Sequence, residues 1–177
     1  MGCVAMNMYN AGHNVLYVSI EMATPQMWDR AVSCYTGLET NKIKLGTLSE
    51  EEEQQFQQKM KEFKQKPNTF SILDAPNVTV PTIANEIEKL IDAEQPDVVF
   101  VDYLGIVRPS EKGLQDNLAQ ASVVEELRAL ARTKNIGMFS AVQLNRDPNK
   151  TAKSKTKGLE RLSRSDVIGH TVDVALQ

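Results

Sequence analysis

The sequence predicts an α/β domain built on a mostly parallel sheet flanked by helices on both faces, and three observations carry that expectation. Short apolar runs of strand length alternate with longer stretches of helical periodicity, as they do where crossover helices join parallel strands. The runs are nearly continuous in Val, Ile and Phe rather than alternating, the pattern of strands covered on both sides. The length, 177 residues, suits one hydrophobic core at roughly 100 to 200 residues per domain, so residues 1–177 read as a single domain.

Taken in order, the expected strands are Asn14 to Ile20, Thr69 to Leu73, Asp97 to Val101, Ile136 to Val142 and Thr171 to Leu176. Gly2 to Ala11 reads as a helix ending at Gly12, where glycine can take the left-handed cap. Thr24-Pro25 starts another, with Thr24 as N-cap and Pro25 at the first helical position, where its missing N–H costs nothing. Ser49 through Glu52 has capping-box spacing, and the acidic run to Glu53 suits the positive end of a helix dipole. Val123, Val124, Leu127, Leu130 and Ala131 form an apolar stripe for one sheet face, with Glu125, Arg128 and Arg132 on the other side. Lys150 to Gly158, polar and short of apolar anchors, reads as a mobile loop.

Composition narrows the function classes. The chain is 41% hydrophobic and 24% charged, inside the globular range. No apolar run approaches the roughly 20 residues that span a bilayer, and Met1 to Asn14 lacks a signal-peptide layout, so the expected compartment is the cytoplasm. Cys3 and Cys34 have no Cys-x-x-Cys spacing, and His13 and His170 lie far apart, which argues against zinc. The net charge of −3 is uneven. Arg146 to Arg164 holds seven basic residues and two acidic ones, giving +5 there and −8 elsewhere.

In open parallel sheets ligands bind beyond the carboxyl ends of the strands, so the residues after each apolar run matter most. Glu21 follows the first, Asp102 the third and Gln143 the fourth. Asp102 could be a helix cap or turn residue, or a carboxylate that orients a magnesium ion and its waters. Glu21 could be a solvated carboxylate before a helix. If its strand neighbours that of Asp102, it is placed to polarise a water for attack on a γ-phosphate. Gln143, with Asn145 and Arg146, offers neutral and cationic donors suited to sensing that phosphate, next to the basic segment.

Three stretches together resemble the hexameric replicative helicases of the DnaB class, most closely the T-even-phage type: Met1 to Met22, Val99 to Ile106 continuing in Glu126 to Ala131, and Ser140 to Arg146. Thr36 to Val80 fits by pattern rather than by motif. The resemblance implies a RecA-like P-loop NTPase core, with Glu21 as catalytic base, Asp102 as the Walker B residue that holds magnesium mostly through water, and Gln143 coupling nucleotide state to DNA. ATP and magnesium are the implied cofactors. A homohexamer, single-stranded DNA and a primase or helicase loader are the implied partners, in a bacterial or phage-infected cell.

The phosphate loop of that family, G-x-x-x-x-G-K-[ST], has no counterpart, since no glycine precedes a lysine here. The expectation is therefore a helicase segment cut at both ends, before its phosphate loop is included and before its arginine-finger segment is reached. Such a chain alone neither binds ATP well nor hydrolyses it, and is a monomer or weak dimer. DNA contact is expected at Arg108 and Lys112, within the segment that follows the Walker B strand, and at Arg146, Lys150, Lys153, Lys155 and Lys157. These segments carry no aromatic, so contact to phosphates with little base preference is implied. A RecA/RadA- or clock-type ATPase, and a non-catalytic RecA-like module that only binds DNA or a partner, remain as alternative readings.

Overall fold

A computed structural model describes residues 1–110, 116–142 and 173–174. Helix α1 (Gly2–Asn10) turns through Ala11 and Gly12 into strand β1 (Val15–Ser19). The helix stops one residue short of the expected end, with Ala11 as C-cap. Gly12 then takes φ +98°, which a side chain would make costly.

Helix α2 (Thr24–Thr36) has Pro25 in its first turn as expected, but its N-cap is Ala23 rather than Thr24. The Thr24 N–H donates at 3.2 Å to Oδ2 of Asp74, the last residue of β2 (Phe70–Asp74). A distant strand thus supplies the acceptor that the local sequence lacks. Helix α3 (Thr40–Leu45) ends at Gly46, and α4 (Glu50–Gln65) starts with the predicted capping box. In that box Ser49 Oγ accepts from the Glu52 N–H at 3.2 Å, and a Glu52 oxygen accepts from the Ser49 N–H at 2.9 Å.

Helix α5 (Val80–Glu94), capped by Thr79, leads to β3 (Val98–Asp102). A short 3-10 turn, Leu104–Ile106, follows, then α6 (Asp116–Lys134) and β4 (Gly137–Ser140). β4 is shorter than expected because the chain leaves the ladder after Ser140. There the Ala141 carbonyl accepts from the Leu104 N–H at 3.0 Å instead. Of the fifth expected strand only Asp173 and Val174 are described, and neither belongs to a strand; Lys150 to Gly158 lies outside the described residues.

Among the described residues four strands pair in parallel in the order β2-β1-β3-β4. Strand alternation divides the apolar side chains between two cores. Leu16, Val18, Val99 and Val101 face Ile83 and Ile87 of α5 and Val123, Val124 and Leu127 of α6. Val15, Tyr17, Val98 and Phe100 face Ala5, Met6 and Tyr9 of α1 and Met27 and Ala31 of α2. Each fully buried aliphatic side chain contributes about 1.5–3 kcal/mol, so both helical layers are held firmly on the sheet. The parallel sheet with helices on both faces is the predicted class.

Candidate functional site

β1 and β3 are neighbours, with Ser19 opposite Asp102, and the Ile20 N–H donates to the Asp102 carbonyl at 3.1 Å. The condition for Glu21 is therefore met: it leaves the sheet two residues beyond the partner of Asp102. Ser19 is buried, and its hydroxyl donates to the Met22 carbonyl at 2.5 Å, closing the turn that carries Glu21. Glu21 itself is exposed, so its carboxylate is open to solvent beyond the strand ends.

Asp102 is half-buried and accepts a hydrogen bond from the hydroxyl of Tyr17, which stands two residues before Ser19 on β1. Tyr17 is 1% exposed, and its ring stacks on Phe100 at 6.0 Å between centroids. Phe100 stacks in turn on Phe139 of β4 at 5.0 Å, so one aromatic row crosses three strands beneath the site. Burial first, then the hydrogen bond to Asp102 and its negative charge, pushes the Tyr17 hydroxyl far above the usual tyrosine range. Tyr17 therefore stays protonated and fixes one Asp102 oxygen, and among the described residues the other has no hydrogen-bond partner. Tyr17 is not among the site residues expected from sequence because it stands inside an apolar strand, and only the register with β3 reveals its partner.

The first turn of α1 lies on the same edge. Its far end meets the start of β2, where Asn68 Nδ2 donates to the Tyr9 carbonyl at 2.8 Å. The N-cap Met1 makes no side-chain cap hydrogen bond, so among the described residues the backbone N–H groups and the positive end of the dipole stay open there. A half-buried carboxylate, an exposed carboxylate and uncapped N–H groups on one sheet edge fit a magnesium-bound triphosphate, in which Asp102 would hold the hard cation.

Arg108 is exposed on this edge too. Its N–H donates at 2.9 Å to the Val78 carbonyl, beside Thr79, the cap of α5. Residues 141 and 142 approach the site through the Leu104–Ala141 bond. Gln143, Lys112 and the basic residues Arg146, Lys150, Lys153, Lys155 and Lys157 lie outside the described residues.

The described residues form a three-layer α/β core with acidic groups at the tips of adjacent parallel strands. Two solved structures share the fold, each with a TM-score of 0.82 and 19% identity. One is a DnaB-like replicative helicase solved for its interactions with primase, over 98% of this chain and 44% of that one. The other is an isolated ATPase domain, over 96% and 60%. The chain belongs to the DnaB-like helicase C-terminal domain family, whose model matches residues 1–176.

A probable plasmid replicative DNA helicase of Chlamydia trachomatis is 30% identical over 161 residues, 90% of this chain and 35% of that protein. The replicative DNA helicase DnaB of Rickettsia typhi is 24% identical over 168 residues, 92% and 32%. The chain thus spans about a third of the length of these helicases. Among the described residues, no helix is long and apolar enough to cross a membrane.

Proposed function

We propose that this domain is the ATP-hydrolysing motor segment of a ring-forming replicative DNA helicase that moves along single-stranded DNA and separates the duplex. The observation that carries the reading is the pairing of Ser19 with Asp102. It brings the turn that carries Glu21 to the strand tip that carries Asp102, an arrangement suited to phosphoryl transfer to water.

In this reading Asp102, steadied by Tyr17, is the residue that would hold a magnesium ion. A bound magnesium ion supplies positive charge that offsets the charge developing on the phosphoryl oxygens. Glu21 takes the proton of the attacking water. The first turn of α1 turns its N–H groups towards the phosphates. Gln143, with Asn145 and Arg146, senses the γ-phosphate and passes its state to the basic segment. Arg108, Lys112, Arg146, Lys150, Lys153, Lys155 and Lys157 follow the DNA phosphates, an interaction weakened by salt. A homohexamer with nucleotide between subunits, a primase or loader as partner, the T-even-phage likeness and a cytoplasmic setting complete the proposal.

The test is ATP hydrolysis with and without single-stranded DNA, on the chain together with whatever precedes Met1 and follows Gln177 in its gene. DNA-stimulated turnover is expected there. The 177-residue chain by itself, with no phosphate-loop lysine, is expected to show neither turnover nor micromolar ATP binding. An extended chain that binds DNA but never turns over ATP would instead leave a RecA-like binding module.

A further inference from the structure

Cys3 and Cys34 are 31 residues apart in sequence, yet their Sγ atoms stand 2.8 Å apart where the first turn of α1 meets the last turn of α2. Both residues are free thiols and exposed, so an oxidant can reach them. A disulfide needs a sulfur separation of about 2.05 Å, so closing the gap takes under about 1 Å of movement. Side-chain rotation and a slight approach of two packed helices supply that.

We propose that Cys3 and Cys34 form a reversible intramolecular disulfide that staples α1 to α2, with a low-molecular-weight disulfide such as oxidised glutathione as the oxidant. The inference rests on the thiol geometry and holds whether or not the nucleotide reading does. The Cys34 sulfur is tucked towards α1 although the residue is open to solvent. Desolvation first, then the hydrogen bond to Cys3 and its charge, pushes the Cys34 thiol up to about 11. Either sulfur can donate the hydrogen bond of the pair, and a thiol held protonated is a poor nucleophile, so Cys34 is the resolving partner.

In the first exchange the Cys3 sulfur bonds to one sulfur of the glutathione disulfide and releases one glutathione thiolate, which takes up a proton. Next the Cys34 sulfur, giving up its proton, bonds to Cys3 and releases the second glutathione. The protein loses two electrons and two protons, and one glutathione disulfide becomes two thiols. The staple falls on the first turn of α1, beside Gly2, where an added β-carbon would stand 4.0 Å from the Met27 side chain of α2. It therefore fixes the element whose N–H groups border the candidate site.

The experiment compares the reduced chain with the same chain equilibrated in oxidised glutathione, by thiol counting, peptide mass mapping under non-reducing conditions and thermal melting. Both thiols are expected to disappear together, a Cys3–Cys34 linked peptide to form, and the chain to stay monomeric on a non-reducing gel. The melting midpoint should rise by roughly 5–10 °C for a closed loop of this size, and a dithiol reductant should reverse it. Cys34→Ser should stop at one glutathionyl group on Cys3. Thiols that remain free, independent adducts on both cysteines, bonds only between chains, or a midpoint that does not rise would each overturn the proposal.

Discussion

Replacing Tyr17 with phenylalanine removes one oxygen from the centre of the site and leaves the stacked ring row in place. At neutral pH the change deletes a hydrogen bond to the Asp102 carboxylate, a charged partner, and should cost about 1.5–3 kcal/mol. The alkaline limb gives a sharper test. Tyr17 has its pKa raised on folding, so its contribution is complete below the ordinary tyrosine value near 10 and is lost as pH climbs towards the higher folded value. By pH 11 an unfolded tyrosine is mostly ionised while Tyr17 is not, which removes about 1.4 kcal/mol from the native protein and nothing from Tyr17→Phe. The stability gap between the two proteins should therefore narrow by about 1.4 kcal/mol between pH 9 and pH 11, measured by urea unfolding at each pH. A gap that stays constant would mean that Tyr17 ionises equally in both states, and the account of how Asp102 is held would fail.

Other expectations are more local. Ser49→Ala removes the acceptor for the Glu52 N–H and should destabilise the chain by about 1 kcal/mol, a fall of roughly 2–4 °C in a thermal melt; no change would mean that α4 does not depend on its box. Changing Lys153, Lys155 and Lys157 together to alanine should weaken single-stranded DNA binding by the ring-competent protein and flatten its salt dependence by up to roughly two units of slope. An unaltered slope would remove that segment from the DNA path.

Much of the fold is legible in the sequence because parallel strands buried on both faces announce themselves as continuous apolar runs. Val15–Ser19 and Val98–Asp102 fall within the expected bounds to a residue or so, and Phe70–Asp74 is shifted by one. The capping box at Ser49 is a short-range device and is readable for that reason. The start of α2 is not, because its acceptor, Asp74, lies 50 residues away. Helix α5 is absent from the expected elements although Thr79, Pro81 and the Ile83–Ile87 spacing signal it. In the site, Glu21 and Asp102 can be picked out as polar residues ending apolar runs. The role of Tyr17 depends on strand register, which no local pattern states.

The central claim is that Glu21 and Asp102 divide the work of one nucleotide site. It is tested most directly by measuring ATP binding and hydrolysis side by side in Glu21→Gln and Asp102→Asn, in the chain with its flanking sequence. The account predicts that Glu21→Gln binds magnesium-ATP about as well as the native protein while turnover falls by about a hundredfold or more. Asp102→Asn should lose the magnesium dependence of binding along with turnover. Normal hydrolysis in Glu21→Gln, or unchanged magnesium dependence in Asp102→Asn, would contradict it.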